Sequence, residues 1–255
     1  MTGRPAAEFA DRRIAGTGTG ERAWHGWPGW RTGTAAGLAE LVPDGARLVV
    51  VAPHPDDETL GCGGLLHDAA RAGREVRLVA VTAGGGSHPG STRWPPAELV
   101  ARRRAERAAA LARLGLPGCP VHELDLPDGA VTRHRDELAG AVRALCRPGD
   151  VLVAPWRYDG HPDHEATAEA VLAAAPAGTV LQVPIWGWHW ARPEAGQLPE
   201  RPLLFAPAPD ALRAKRRAVA EFTSQLSADP STGAAPVLPS WALSRWLRGV
   251  EVFLP

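Results

Sequence analysis

The sequence lacks the features that assign many proteins to a class at once. It carries no excess charge, with 28 basic and 28 acidic residues in 255, whereas proteins that grip nucleic acid or anionic membranes usually have a basic excess. It has no apolar run near the ~18 residues of a membrane span and no apolar N-terminal segment typical of a signal peptide. We therefore expect a cytoplasmic protein that binds neither nucleic acid nor membrane.

Cysteine and lysine are also scarce. Cys62, Cys119 and Cys146 are widely spaced and odd in number, so they predict neither a disulfide framework nor a thiolate metal site. Lys215 is the only lysine, and arginine supplies almost all of the positive charge. Isolated, buried thiols are the expected state of the three cysteines.

Apolar runs of strand length alternate with helical segments along most of the chain. This alternation predicts βαβ units and an α/β fold with a mostly parallel sheet. Residues 1–45 are predicted to form a peripheral N-terminal extension, either packed or partly disordered. Residues 46–255 are predicted to form one domain whose last part, after Ile185, is a cap. The predicted strands lie near 47–53, 75–84, 121–126, 150–156 and 179–185, and the predicted helices near 59–72, 98–114, 135–146, 165–174 and 210–222.

Two polar clusters follow two of the predicted strands. One is the His-Pro-Asp-Asp-Glu sequence at 54–58, and the other is the His-Pro-Asp-His sequence at 161–164. Ligands of open parallel sheets bind outside the carboxyl ends of the strands. We therefore expect both clusters to face one crevice.

The residue types in these clusters suit a catalytic metal. A catalytic zinc keeps three protein ligands and an open position, and His54, Asp57 and His164 satisfy that count. Asp56 would remain as a general base, and His161 as an imidazole placed to act on the substrate oxygen or the leaving nitrogen. Zinc is the expected ion, with Fe²⁺ as the alternative.

The alternative without a function is a solvated loop whose acidic residues cap the next helix. It explains the 54–58 cluster taken alone. It explains poorly why two clusters rich in His and Asp both follow strands, and why three adjacent acids would converge without a cation.

The two motifs resemble the signatures of a known family. The stretch APHPDDETLGCGG resembles the first signature of the PIG-L/LmbE-like zinc-dependent N-acetylglucosaminyl deacetylases, and GHPDHEAT resembles the second. The resemblance runs from about Arg47 to the KRRAVAEFTSQ segment ending at Gln225. It implies a Rossmann-like three-layer fold and removal of the acyl group from an amino-sugar substrate. The rival hydrolytic function is an amidase on a thiol conjugate or another small acyl amide.

The resemblance also assigns roles to single residues. It implies metal ligands at His54, Asp57 and His164, a general base at Asp56, and an oxyanion-stabilising or acidic imidazole at His161. Asp163 is then expected to orient His161 or another group near the metal. The sequence departs from some members, which carry Tyr two residues before the catalytic His. Asp159 occupies that position here, with Tyr158 one place earlier.

Two further residues match substrate-gripping positions of the mycothiol-pathway member of the family. Arg103 lies in a predicted Arg-rich helix, and Asp128 in a Pro-Asp-Gly turn at a predicted strand end. We predict that both bind the sugar. Their alternatives are a solvated helix face and ordinary turn chemistry.

Other motifs favour different functions less well. The glycines at 61–64 do not complete the pattern of a dinucleotide site, because Leu66 occupies the third glycine position. They are predicted to allow close packing of helix on sheet, which disfavours an oxidoreductase. A non-catalytic binding protein would not need both Asp56 and His161. The tryptophans at 186–190 are interpreted either as a sugar or acyl pocket or as core.

Overall fold

A computed structural model describes residues 12–175 and 178–254. Its strands are β1 (Thr34–Ala35), β2 (Leu48–Ala52), β3 (Val76–Ala80), β4 (Val121–Glu123), β5 (Val151–Pro155), β6 (Thr179–Val183), β7 (Leu203–Phe205) and β8 (Glu251–Phe253). Its helices are α1 (Glu21–Trp24), α2 (Gly29–Thr32), α3 (Leu38–Leu41), α4 (Asp57–Arg71), α5 (Pro96–Arg113), α6 (Arg135–Leu145), α7 (Pro162–Ala174), α8 (Gly187–Trp190), α9 (Pro209–Val219), α10 (Thr223–Leu226) and α11 (Ser240–Leu243).

Each predicted strand and helix is present, with small differences in its bounds. Two of these differences matter for function, because α4 and α7 begin two and three residues earlier than predicted, inside the two polar clusters. In α7 the first position is Pro162, whose fixed φ suits the start of a helix. The polar clusters therefore form the N-termini of helices rather than separate loops.

The main sheet has five parallel strands in the order β4-β3-β2-β5-β6. The chain starts at the central strand β2, moves outward to β4, and then returns to β5 on the other side. The strand order therefore reverses between β2 and β5. A crevice forms at such a reversal, outside the carboxyl ends of the two strands.

Helices cover both faces of this sheet. Alternate residues of β2 point to opposite faces, so Val49 and Val51 lie in a core with α6 and α7. Val50 and Ala52 lie in a second core with α4, α5 and α9. Two apolar layers around one sheet confirm the predicted three-layer Rossmann-like architecture.

The N-terminal segment from residue 12 onward contributes buried side chains to the larger core. Trp24 and Trp27 are 0% and 1% exposed and belong to the larger core. Trp24 packs edge-on against Trp188, with ring centroids 4.8 Å apart. The tryptophan-rich sequence thus buries apolar surface, and residues 1–11 lie outside the described part. The predicted division at residue 45 stays a prediction.

A second, small sheet joins the two ends of the chain. β1 pairs in parallel with β7, and β7 pairs antiparallel with β8. Leu254, after β8, bridges to Gln182 of β6. The cap after Ile185 therefore packs on the main domain, as predicted. This small sheet was not predicted, because strands of two or three residues carry no readable period. No helix within the described ranges is both long and apolar enough to span a bilayer.

Candidate metal centre and active site

The reversal of strand order brings the two polar clusters together. His54 follows β2 and Asp57 begins α4, whereas His161 caps the N-terminus of α7 and His164 lies in its first turn. Each pair is thus held between a buried strand and the start of a helix, two rigid elements.

Three ligand-type atoms from these clusters form a nearly equilateral triangle. His54 Nδ1 lies 3.3 Å from Asp57 Oδ2 and 3.2 Å from His164 Nε2. The third side, from His164 Nε2 to Asp57 Oδ2, is 3.2 Å. All three side chains are largely buried, so little water screens the atoms from one another.

This triangle fits a tetrahedral divalent ion. Ligand atoms about 2.0–2.1 Å from a tetrahedral zinc lie about 3.3–3.4 Å apart. The second ring nitrogen of each histidine faces a carboxylate. A neutral ring that donates its proton to that carboxylate keeps a lone pair on its nitrogen in the triangle. Two lone pairs and a carboxylate turned toward one point repel one another unless a cation lies between them. The donor set therefore suits a metal ion.

Carboxylates behind the triangle fix the orientation of both imidazoles. His54 Nε2 lies 3.3 Å from Asp163 Oδ2 and 3.2 Å from Asp128 Oδ1. Asp163 is held in place by the backbone N–H groups of Gly129 and Val131, at 2.7 and 3.1 Å. The predicted orienting residue Asp163 thus reaches His54 with its carboxylate. It contacts His161 only through its own backbone N–H.

Asp159 fixes the orientation of His164 in the same way. Its Oδ2 lies 2.8 Å from His164 Nδ1, and it is 0% exposed. The backbone N–H groups of Ile185, Trp186 and Gly187 donate to it at 2.8–2.9 Å. Such an outer carboxylate fixes the tautomer of a ligating histidine and raises its basicity. The sequence showed Asp159 only as a departure from the family pattern, and its partners lie far along the chain.

Asp56 lies beside the triangle in a strained backbone conformation. Its φ is 137°, a region that residues other than glycine rarely adopt. Its carboxylate makes no capping bond to α4 and instead accepts from Arg103 Nη2 at 3.0 Å. Asp56, Asp57 and Glu58 are 6%, 6% and 1% exposed. The alternative of a solvated, helix-capping loop therefore fails, and backbone strain of this kind clusters at functional sites.

Burial and neighbouring charges shift the pKa values of Asp56 and Asp57 in opposite directions. Burial raises the pKa of Asp56 to about 7 against the lowering effect of Arg103. Burial also acts on Asp57, but His164 and His54 hold the pKa of Asp57 well below its usual range. Groups whose environments push their pKa values apart are typical of acid–base sites.

His161 stays neutral in this environment. Burial, followed by the charges of His164 and His54, lowers the pKa of His161 to about 3. The backbone N–H of Asp163 donates to His161 Nδ1 at 3.2 Å, so the neutral ring carries its proton on Nε2. His161 also brings a ring nitrogen within 4.8 Å of ligand-type nitrogens of His54 and His164. It is therefore a neutral hydrogen-bond donor next to the triangle.

A cavity of about 280 Å³ opens over this constellation. Its lining combines polar and apolar residues, as is typical of small-molecule sites. Its lining includes the polar residues Asp56, Arg103, Asp128, His161, Ser87 and Gln225, and the apolar residues Leu60, Ile185, Trp186, Val237 and Leu238.

Arg103 and Asp128, the predicted sugar-binding residues, both line the cavity, but they differ in burial and in hydrogen bonding. Arg103 is 3% exposed, and it donates to the carbonyls of Gly84 and Pro55 at 3.0 and 2.8 Å as well as to Asp56. It does not lie on a solvated helix face. Asp128 accepts from the backbone N–H of Gly86 at 2.7 Å, and its side chain is 17% exposed. Their roles stay predictions.

The structure also locates the other residues that the sequence singled out, namely the tryptophans at 186–190, Tyr158 and the glycines at 61–64. Trp186 lines the cavity, whereas Trp188 and Trp190 are core residues, so the group is divided between the cavity lining and the core. Tyr158 packs edge-on against Trp156 and lies under Arg157, and it is not among the residues that line the cavity. A Cβ at Gly61 would lie 2.7 Å from Val183, which agrees with close packing of helix on sheet.

The chain matches known proteins over this same region. Residues 49–175 match the family model of PIG-L, described as GlcNAc-PI de-N-acetylase. The 1D-myo-inositol 2-acetamido-2-deoxy-alpha-D-glucopyranoside deacetylase of Mycobacterium sp. (strain KMS) is 35% identical over 179 residues, which is 59% of this chain but only 56% of that protein. The diacetylchitobiose deacetylase of Thermococcus kodakarensis is 31% identical over 204 residues, covering 75% of this chain and 74% of the relative.

Solved structures share the fold. The N,N'-diacetylchitobiose deacetylase from Pyrococcus horikoshii superposes with a TM-score of 0.64 at 20% identity, over 85% of this chain and 86% of that one. The A40926 pseudoaglycone deacetylase Dbv21 gives a TM-score of 0.55 at 28% identity, over 72% and 84% of the two chains. Both signature clusters lie within the matched region. The chain therefore belongs to the PIG-L family, whose members are generally metal-dependent deacetylases.

Proposed function

We propose that the protein is a zinc-dependent hydrolase that removes the acetyl group from an N-acetylated amino sugar and releases acetate and the free amine. The observation that carries the proposal is the triangle formed by His54, Asp57 and His164 beside the buried, strained Asp56. His54, Asp56 and Asp57 line one cavity. Named relatives that deacetylate glucosamine-containing compounds support the choice of substrate.

Zinc is proposed as the ion held by His54, Asp57 and His164. Two imidazoles and one carboxylate suit zinc, and Fe²⁺ is the alternative because nitrogen and oxygen ligands select weakly between the two. When bound, the ion supplies a Lewis acid that polarises the amide oxygen and lowers the pKa of water.

Asp56 is proposed as the general base. Its carboxylate lies at the cavity floor, and its raised pKa of about 7 suits a group that both takes and returns a proton near neutral pH. Asp56 accepts the proton of the attacking water and then delivers it to the nitrogen as the C–N bond breaks. Arg103 holds the carboxylate in place through its bond of 3.0 Å.

His161 is proposed to stabilise the oxyanion. Because Nδ1 accepts from the Asp163 backbone, Nε2 carries the proton and can donate to the oxygen on which negative charge develops. Its pKa of about 3 keeps the ring neutral near pH 7, so His161 donates a hydrogen bond without giving up its proton. Asp128 lies on the same rim and is proposed to bind a sugar hydroxyl.

The test is a panel of N-acetylated amino sugars and their glycosides, assayed for free amine with metal-loaded protein. N-acylated thiol conjugates form a second arm of the panel. We expect turnover on the sugar arm that is lost on chelation and restored by zinc. Turnover confined to the thiol-conjugate arm would support the rival amidase, and no turnover on either arm would contradict both. A small-molecule partner and a cytoplasmic location are parts of this proposal.

A further inference from the structure

A chain of hydrogen bonds connects helix α5 to the cavity. Glu106 lies one turn after Arg103 on α5 and is 4% exposed, and its Oε2 accepts from Ser224 Oγ at 2.7 Å. Ser224 Oγ in turn lies 2.9 Å from Nε2 of Gln225. Gln225 is 1% exposed and lines the cavity. Its Nε2 also lies 3.4 Å from Oγ of Ser87, another cavity residue.

The carboxylate of Glu106 fixes which atoms donate and which accept along this series of hydrogen bonds. A carboxylate only accepts hydrogen bonds, so the Ser224 hydroxyl gives its proton to Glu106 and its oxygen is left to accept from Gln225. The Ser87 hydroxyl has two further partners, the carbonyl of Gly84 at 3.3 Å and Nδ1 of His88 at 2.9 Å. When it donates to either of them, its oxygen is left to accept from Gln225. Both side-chain bonds of Gln225 are therefore made by its amide nitrogen.

The side-chain oxygen of Gln225, Oε1, takes no part in this network. Within the described residues, Gln225 Oε1 accepts no hydrogen bond, although the side chain lines the cavity. Turning the amide over would direct Oε1 at Ser224, whose proton is already given to Glu106. The network thus holds Gln225 with an acceptor available to a bound molecule, and an acceptor of fixed orientation selects a donor.

We propose that Gln225 is a substrate-recognition residue whose Oε1 accepts a hydrogen bond from one hydroxyl of the sugar, and that Glu106 is the positioning residue that fixes its orientation. This inference rests on the proposed function, which supplies the sugar. A site built in this way rejects an analogue that lacks the hydroxyl, because the buried acceptor is then left unpaired.

The experiment compares wild type, Gln225→Met and Gln197→Met on methyl N-acetyl-β-glucosaminide and on its monodeoxy analogues. Gln197 is the matched control, because it bonds only the Arg192 backbone and does not line the cavity. We expect Gln225→Met to lower kcat/KM on the parent by about 3- to 10-fold, the size of one neutral hydrogen bond. On one monodeoxy analogue the same variant should equal wild type, since the contact is already missing. Gln197→Met should equal wild type on every substrate.

A second variant separates positioning from general damage. Glu106→Gln keeps the size of the side chain but can also donate, so it no longer fixes the direction of the chain. It should reduce the preference for the parent over that same analogue and leave the other preferences unchanged.

The outcomes are distinguishable. Equal losses of Gln225→Met on the parent and on all analogues would show a structural role and overturn the inference, as would no loss on the parent. No turnover of any N-acetylated sugar by metal-loaded wild type would instead overturn the proposed function itself, before any variant is compared.

Discussion

The structure supports two roles for Arg103, and replacing this residue distinguishes between them. Arg103 lines the cavity, as a sugar-binding residue should, but its guanidinium already donates to Asp56 and to two backbone carbonyls. If its main effect is on Asp56, loss of its charge changes the pH dependence of the reaction. If it mainly grips the sugar, the loss of rate is the same at every pH.

The magnitude follows from the environment of Asp56. Burial raises its pKa to about 7, and Arg103 is the largest influence that lowers it. A cation at this distance shifts a carboxyl pKa by about 1–3 units, so Arg103→Met should raise it by that amount. A general base is active when deprotonated, so the acid limb of the kcat/KM profile moves to higher pH. At a pH below both midpoints, the deprotonated fraction of Asp56 is then about 10- to 1,000-fold lower in the variant than in wild type.

The assay is the pH profile of kcat/KM for wild type, Arg103→Met, Arg103→Lys and Arg104→Met. A bound divalent ion lowers the pKa of Asp56 in all four proteins, so the prediction concerns differences between profiles. Arg103→Lys keeps a charge and should restore part of the shift. Arg104 is the matched control, because it pairs with Asp125 on the surface.

One result would refute this reasoning. A profile of Arg103→Met that has the wild-type midpoint but a lower plateau would show that Arg103 does not act on Asp56. A uniform loss of about 1.5–3 kcal/mol would then return it to substrate binding, as a lost charged hydrogen bond.

Three further predictions concern single residues. Asp56→Asn should retain the metal, measured by elemental analysis, and lose roughly 10²–10⁴ in kcat; wild-type turnover would exclude it as the general base. His161→Ala should also retain the metal and lose about 10²–10³ in kcat, the cost of an oxyanion donor, and an unchanged kcat would exclude that role. Asp150→Asn breaks the buried pair with Arg47 (Nε to Oδ1, 2.8 Å) at the opposite end of the sheet. It should lower the free energy of unfolding by about 3–5 kcal/mol in urea titrations and leave kcat per folded molecule unchanged; a loss below 1 kcal/mol would show the pair to be dispensable.

The same ion pair gives the sign of a pH effect on stability. Although burial opposes it, Arg47 lowers the pKa of Asp150. A carboxyl whose pKa is lowered by folding stabilises the native state above its unfolded value of about 3.9, and this contribution disappears as the pH falls below that value. Wild type should therefore lose more stability on acidification than Asp150→Asn.

The sequence indicated, for a physical reason, that the two polar clusters lie close together. A parallel sheet places the carboxyl ends of its strands at one edge, so two polar clusters that follow long apolar runs must lie at that edge. The distance between His54 and His164 then depends on whether β2 and β5 are neighbours, which the sequence indicated but did not prove. The structure makes them neighbours and brings the two ring nitrogens to 3.2 Å.

Contacts between distant segments were harder to predict. Asp159 binds the backbone at 185–187, and Gln225 is fixed by Glu106 through Ser224; none of these pairs has a periodic or local signal. The burial of the tryptophans of the N-terminal segment was hard to predict for a similar reason. Their burial depends on Trp188, which lies more than 150 residues later in the chain.

Titration of metal-free protein with zinc tests the central claim most directly. Acetate release from the best N-acetylated sugar of the panel should be absent without metal and should rise in proportion to added zinc until one equivalent is bound. His54→Ala and His164→Ala should show no such rise. Full turnover in metal-free wild type, or stoichiometric activation of both variants, would contradict the account.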